Sequence, residues 1–129
     1  MNFPEDLKYT KEHEWIRLRG NMAIIGITDY AQEQLGEVVF IELPDEGEEI
    51  TKDDSFGVVE SVKSVSDIYA PVSGRIVEVN DPLLDNPETL NEEPYGEGWL
   101  IKVEVANPAE VEELLTSDRY QSYIKEEQA

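Results

Sequence analysis

Lys63 is the residue whose type and position could carry chemistry. It is the only basic residue between Lys52 and Arg75, and apolar, largely β-branched residues lie on both sides of it. This composition is typical of two short strands that meet at a turn, and we predict them at residues 55–62 and 65–69. Lys63 would then stand at the exposed tip of a hairpin. An amine there is poorly placed for catalysis but open to acylation by another enzyme.

The elements around this hairpin are predicted to be mainly β. A turn at Gly20-Asn21 separates two strands of a further hairpin, and one short helix is expected near residues 29–35, before Gly36. Further strands are predicted at 15–19, 22–27, 37–43, 75–79 and 99–105. The barrel-like core would therefore span about residues 15–105.

The remaining segments carry weaker patterns. Residues 81–94 contain three prolines and no clear period, so we interpret them as a loop with at most one helical turn. Asn107-Pro108 is typical of a helix start, and a second helix is predicted from Ser117 towards Lys125. These form a C-terminal helical segment of about residues 108–127.

Two stretches of the chain resemble each other. Residues 25–29 resemble 56–60, and residues 35–41 resemble 73–79, with extra residues in the second unit that contain Lys63. Two similar β units suggest a pseudo-symmetric, flattened barrel in which only the second unit displays a hairpin.

The composition excludes several classes of function. The chain has 30 acidic and 10 basic residues, a net charge of −20, which argues against binding nucleic acid or an anionic membrane. It has no cysteine, so redox work would need sulfur from a cofactor. The single histidine, His13, is expected to be a packing or surface residue, and the acid-rich segments lack the spacing of a calcium loop. No metal site is predicted.

Length and termini indicate one soluble domain. The 129 residues suit a single domain, 1–129, which we expect to be monomeric. No apolar run is long enough to span a bilayer, and the N-terminus lacks the features of a signal peptide. We expect a cytoplasmic protein, or a mitochondrial matrix protein if a transit peptide has been removed.

The segment around Lys63 resembles the lipoylation site of the glycine cleavage system H-protein family. The residues that carry the likeness at the site are Glu60-Ser-Val-Lys63-Ser. Matching segments extend in the same order along nearly the whole chain: Lys8-Tyr9, His13-Glu14-Trp15, 26–32, 35–44, Ser66-Asp67, 70–74 and 94–102.

The resemblance implies a fold, a cofactor and roles for particular residues. The fold would be the mainly β, flattened barrel-sandwich hybrid of the lipoyl and biotinyl carriers. Lipoate would be attached covalently to Lys63. Glu60 and Asp67 would help the lipoyl-attaching enzyme to recognise the hairpin, while Glu14 and Asp67 would line a cleft for the loaded arm.

The resemblance also implies partners and no catalysis by the chain itself. Glycine decarboxylase (P protein) would load the aminomethyl group of glycine, and an aminomethyltransferase (T protein) would remove it. Dihydrolipoyl dehydrogenase (L protein) would reoxidise the carrier.

Other functions remain open at this point. Biotin carriers also display a hairpin lysine, but methionines usually flank it, and here the neighbours are Val62 and Ser64. Lipoyl domains of 2-oxo acid dehydrogenases commonly have Asp-Lys-Ala at the site, whereas this chain has Val62-Lys63-Ser64. A lipoate-relay protein of the same family, which passes lipoyl groups to other acceptors, would need the same Lys63. An unmodified binding module is the last alternative.

Overall fold

Two antiparallel sheets form the framework of the computed structural model, which describes residues 1–128. The strands are Lys8–Tyr9 (β1), Glu14–Arg19 (β2), Met22–Ile27 (β3), Val38–Glu42 (β4), Glu49–Ile50 (β5), Ser55–Ser61 (β6), Val65–Tyr69 (β7), Gly74–Val79 (β8) and Ile101–Val105 (β9). The larger sheet has the order β1-β2-β3-β9-β8-β5, and the smaller has the order β4-β6-β7.

The predicted fold class is confirmed, as a sandwich of two sheets rather than a closed barrel. The predicted strands lie within two residues of the observed ones. The sequence did not reveal β1 and β5, because a two-residue strand is too short to show an alternating pattern.

The helix predicted at residues 29–35 is confirmed as α1, Asp29–Leu35. The hydroxyl of Thr28 caps its start by accepting a hydrogen bond from the Ala31 N–H at 3.1 Å. Gly36 ends it with a φ of 81°, in the left-handed region that glycine adopts without strain.

The segment 81–94 is more ordered than the sequence suggested. It contains two short helices, Asp81–Asp85 (α2) and Thr89–Glu92 (α3). Leu83 of α2 and Leu90 of α3 are both buried in the main core. This burial explains why the segment folds despite its prolines.

The C-terminal segment is helical, as predicted, but its first part is a 3₁₀ helix, which is wound more tightly than an α-helix. Pro108–Glu113 forms a 3₁₀ helix, and the Asn107 side chain caps it by accepting from the Ala109 N–H at 3.2 Å. Ser117–Gln128 follows as α4. No helix within residues 1–128 is long and apolar enough to cross a membrane.

Two apolar clusters hold the fold together. The main core lies between the sheets and includes Ile25, Ile41, Val59, Ile76 and Val103. The second cluster packs α4 against the N-terminal strands, with Tyr9 stacked on Tyr120 at 4.8 Å between ring centroids. The Trp15 ring in this cluster lies over Gly26, where a Cβ atom would approach it to 2.6 Å.

The two similar sequence units follow related paths. The first runs from β3 in the larger sheet through α1 to β4 in the smaller sheet. The second starts at β6 in the smaller sheet and returns through β7 to β8 in the larger sheet. In the second unit the hairpin turn and β7 take the place of the helix, and the turn carries Lys63.

Candidate functional site

Lys63 lies at the tip of the β6–β7 hairpin, and its side chain is exposed. The buried Ser61 closes the turn: its N–H donates to the Ser64 carbonyl at 2.8 Å, and its hydroxyl accepts from the N–H groups of Lys63 and Ser64 at 3.3 and 3.1 Å. The local sequence therefore fixes the turn that presents the amine.

The stem of Lys63 rests on the end of α1. The lysine Cε lies 3.3 Å from the position that a Cβ atom on Gly36 would occupy. The Val62 N–H donates to the Glu37 carbonyl at 3.0 Å, which ties the hairpin tip to the same segment. Gly36 therefore has two roles. Its positive φ ends α1, and its lack of a Cβ atom leaves room for the Lys63 side chain.

Asn91 fixes the segment on which the hairpin tip rests. Its side-chain oxygen accepts from the Val38 N–H at 2.9 Å, and its amide nitrogen donates to the Gly36 carbonyl at 2.8 Å. The same nitrogen donates to the Gln32 side chain at 3.1 Å. Sequence reasoning missed Asn91, because it lies in the segment that we interpreted as a loop.

Glu60 and Asp67 lie on the same hairpin as Lys63, and both are exposed. The pairs Glu60–Val65 and Val58–Asp67 place both carboxylates on one face of the sheet, as diagonal neighbours. Asp67 also accepts a hydrogen bond from the Ser55 hydroxyl at 3.3 Å. The structure therefore brings these two predicted residues together on the hairpin that carries Lys63.

Glu14 is in a different environment, since its side chain is buried with 2% exposure. The Thr10 hydroxyl donates to it at 2.6 Å, and the Tyr69 N–H donates at 3.4 Å. Burial raises the pKa of the Glu14 carboxyl to about 7, although these two hydrogen bonds oppose the rise. Glu14 is therefore poised to gain or lose a proton near neutral pH.

A cavity of about 480 Å³ opens beside the hairpin. One wall is the segment 64–69, which includes Asp67, and the opposite wall is α1 with Ala31, Gln34 and Leu35. Ile27 and Ile68 add apolar surface to it. Its size and mixed lining suit a short hydrocarbon arm that ends in a polar group.

Glu14 lines a smaller cavity, of about 230 Å³, with Thr10, Lys52 and Asp53. Glu12 and Tyr69 line both cavities, so the two adjoin. Asp67 belongs to the larger cavity and Glu14 to the smaller one.

His13 is a packing residue that joins the larger cavity to the C-terminal helix. Its Nδ1 lies 2.8 Å from the Tyr120 hydroxyl, and its Nε2 lies 3.3 Å from a Glu127 carboxylate oxygen. The Tyr120 hydroxyl is also 2.7 Å from the Thr28 hydroxyl that caps α1. Burial lowers the pKa of His13, with the nearby Glu127 opposing that shift. These contacts hold one wall of the cavity in place.

The residues around Lys63 fit a covalently attached lipoyl group. The amine is exposed at a firmly closed turn, and an adjoining cavity offers apolar surface to a hydrocarbon arm. Within residues 1–128, no cluster of three or more His, Asp or Glu side chains could hold a metal ion. The exposed amine and the adjoining cavity suit the carrying of a group on Lys63.

Comparison with known proteins decides the family. A model of the glycine cleavage H-protein family matches residues 7–127. The chain belongs to the glycine cleavage H-protein family. It is 60% identical to the glycine cleavage system H protein of Carboxydothermus hydrogenoformans over 124 residues, which cover 96% of this chain and 95% of that protein. It is 58% identical to the H protein of Symbiobacterium thermophilum over 125 residues, or 97% and 98% of the two chains.

A solved structure of the H-protein family has the same fold. The crystal structure of a glycine cleavage system H protein from Mycobacterium marinum matches with a TM-score of 0.88 at 44% identity. The match covers 95% of this chain and 98% of that one. Membership in the H-protein family supports a lipoyl carrier role in the glycine cleavage system.

Proposed function

We propose that the protein carries a lipoyl group in amide linkage on Lys63 and serves as the mobile substrate of the glycine cleavage enzymes. The observation that supports this best is the presentation of Lys63, exposed on a turn that Ser61 closes and beside a cavity of about 480 Å³. When bound, the lipoyl group supplies a disulfide that accepts the aminomethyl group of glycine and is left as a dithiol after transfer.

Three enzymes would act in turn on the carrier. Glycine decarboxylase would load the aminomethyl group and release carbon dioxide. A tetrahydrofolate-dependent aminomethyltransferase would pass its methylene to tetrahydrofolate and release ammonia, and dihydrolipoyl dehydrogenase would reoxidise the dithiol and pass the electrons to NAD. The chain itself would hold and present the group and would catalyse none of these steps.

Glu60 and Asp67 would help the lipoyl-attaching enzyme to recognise the hairpin. Both carboxylates are exposed on the face beside Lys63, where basic side chains of a partner can reach them.

Glu14 and Asp67 would protect the carried group. The amine of an aminomethyl group is a cation when protonated, and a carboxylate that accepts its hydrogen bond keeps it protonated. A protonated nitrogen has no lone pair with which to expel the sulfur. Asp67 would act in the larger cavity and Glu14 in the smaller one beside it, where the Glu14 side chain is itself shielded from solvent.

Mapping the modification tests the proposal. The chain has six lysines; co-expression with a lipoate ligase should place lipoyl on Lys63 alone. Lys63→Arg should fold normally, because an exposed turn residue contributes little to stability, yet it should abolish glycine–bicarbonate exchange with the decarboxylase. Lys125→Arg, at an exposed position on α4, is the matched control and should exchange at the wild-type rate.

The exchange assay also separates the carrier from the lipoate relay. A relay protein would be lipoylated on Lys63 but would support no exchange. Lipoyl on another lysine with Lys63 bare, or wild-type exchange by Lys63→Arg, would overturn the proposal.

A further inference from the structure

The outer face of the smaller sheet has an ordered arrangement of side chains beside Lys63. Residues that pair directly across antiparallel strands project to the same side. The registers of β4, β6 and β7 therefore create two parallel rows of three on this face. The row next to the lysine is Phe40, Glu60 and Val65, and the next row is Glu42, Val58 and Asp67.

Apolar and acidic side chains alternate in both rows, and none of the six is basic. We call these six residues the acid–apolar face. Phe40 is 51% exposed and Val65 is 65% exposed, and the three carboxylates are also exposed. Exposed apolar groups of this size beside a modification site indicate a surface that contacts a partner.

A β-bulge between Val38 and Phe40 turns the aromatic ring outward. In a regular strand, Val38 and Phe40 would lie on the same side. Here Val38 and Ile41 are both buried, and Val39 and Phe40 are both exposed. Bulges are features that re-aim particular side chains, and this one places an aromatic ring in the row next to Lys63.

We propose that the acid–apolar face is the docking surface for the enzyme that acylates Lys63. This inference rests on the proposed function. The partner would present apolar surface in contact with Phe40 and Val65, interleaved with Lys or Arg side chains opposite Glu42, Glu60 and Asp67. Charge complementarity of this kind aligns the partner on the face and speeds its association.

The short length of the unmodified lysine side chain favours the acylating enzyme as the partner, over the enzymes that act on the lipoylated carrier. Before modification, the amine extends from the hairpin by no more than one lysine side chain. The stem of Lys63 also rests on Gly36, two residues before the start of β4. The acylating enzyme must therefore cover the sheet surface around the tip, whereas later enzymes meet a much longer arm.

Charge argues against a second copy of the chain as the partner on the acid–apolar face. The face carries three carboxylates and no cation, and the whole chain has a net charge of −20. Two such faces would repel each other.

Phe40→Ser tests the proposal, because residue 40 lies outside the linear segment 60–67 that carries the predicted recognition residues. Glu42→Gln is the second variant and removes only a charge. The controls are Leu84→Ser, an exposed apolar residue on α2, and Glu104→Gln, an exposed acid on β9. The probe is a purified lipoate–protein ligase with saturating ATP and lipoate, and acylation is followed by intact mass as the apo-protein concentration is varied.

Phe40→Ser should raise the KM for apo-protein about tenfold and leave kcat within about twofold, as expected for loss of an aromatic docking contact. Glu42→Gln should raise the KM about threefold at low salt, and both controls should match the wild type. Direct titration of apo-protein into the ligase should show matching increases in Kd. Thermal unfolding verifies that each variant is folded.

Three results would overturn the docking proposal alone. The first is an unchanged KM and Kd for both variants while the wild type is acylated on Lys63. The second is normal acylation of Phe40→Ser followed by slow reoxidation by dihydrolipoyl dehydrogenase, which would assign the face to a later partner. The third is a wild-type dimer in sedimentation that Phe40→Ser abolishes. Failure of the ligase to acylate wild-type Lys63 would overturn the proposed function as well.

Discussion

Glu14 is the one acidic side chain that is buried among residues 1–128. Burial disfavours its charged form, which raises the pKa of its carboxyl to about 7. Its position in the fold has two consequences, one for stability and one for the carried group, and each can be measured separately.

The stability of the fold should depend on the charge of Glu14. A carboxyl whose pKa is raised by folding stabilises the native state below its unfolded value, near 4.5, and loses that contribution as pH rises through about 7. Glu14→Gln has no carboxyl to ionise at this position. Its free energy of unfolding should therefore rise relative to that of the wild type between pH 5 and pH 8, by up to about 3 kcal/mol. Urea unfolding of both proteins at the two pH values measures this. A difference that does not change with pH would show that Glu14 does not titrate in this range.

The lifetime of the carried aminomethyl group should depend on Glu14 and Asp67. Glu14→Gln and Asp67→Asn keep the size of each side chain and remove its charge, so each should speed the release of ammonia and formaldehyde without tetrahydrofolate. Reoxidation of the dithiol should stay nearly normal. Asp67→Asn is the less clean variant, because Asp67 also flanks Lys63 on the hairpin and its loss could slow lipoylation.

Glu14→Gln is the decisive variant of the two, since Glu14 lies far from Lys63 in sequence and acts only through the folded cleft. Glu104→Gln, on an exposed part of β9, is the charge-matched control and should have the wild-type lifetime. A loaded Glu14→Gln protein as long-lived as wild type would remove the protective role from Glu14.

The two similar units differ in the element that follows their first strand, and this difference should decide which can be modified. Gln32 occupies roughly the position in the first unit that Lys63 holds in the second. It lies in α1, and its side chain donates to Asp29 at 2.7 Å and accepts from Asn91 at 3.1 Å. We predict that Gln32→Lys is not lipoylated, because a ligase cannot engage a helix as it engages a hairpin tip. Peptide mapping after co-expression with the ligase tests this, and clear modification at residue 32 would show that the ligase needs no hairpin.

The features that sequence predicted well are local ones. The hairpin around Lys63 follows from β-branched residues on both sides of a polar turn. The helix α1 follows from Asp29 with Gln32 at its start and Gly36 at its end, although the residue that caps it is Thr28, one position before Asp29. Such signals lie within a few residues of each other and therefore survive in the linear sequence.

The features that sequence missed depend on contacts between distant segments. The resemblance pointed to Glu14, but its burial and its hydrogen bonds with Thr10 and Tyr69 appear only in the folded chain. The outward turn of Phe40 depends on the bulge in the pairing of β4 with β6. The hydrogen bonds of Asn91 join α3 to a segment more than fifty residues earlier.

The net charge of −20 should influence how fast partners associate with the whole molecule. Attraction to a complementary enzyme surface weakens as salt screens it, since the Debye length falls from about 30 Å at 0.01 M to about 10 Å at 0.1 M. We expect the second-order rate of reoxidation by dihydrolipoyl dehydrogenase to fall over this range, mainly through the on-rate. Stopped-flow measurement at limiting carrier tests this. A rate independent of salt would mean that the acidity serves solubility alone.

The roles proposed for the whole molecule all require a lipoyl group on Lys63 in the cell. The decisive measurement is the intact mass of the protein isolated from its native host, followed by localisation of the modified residue. We predict a mass increase equal to one lipoyl group, located on Lys63 and absent from the other five lysines. A native protein with an unmodified Lys63, or with the lipoyl group on another lysine, would contradict the proposed function.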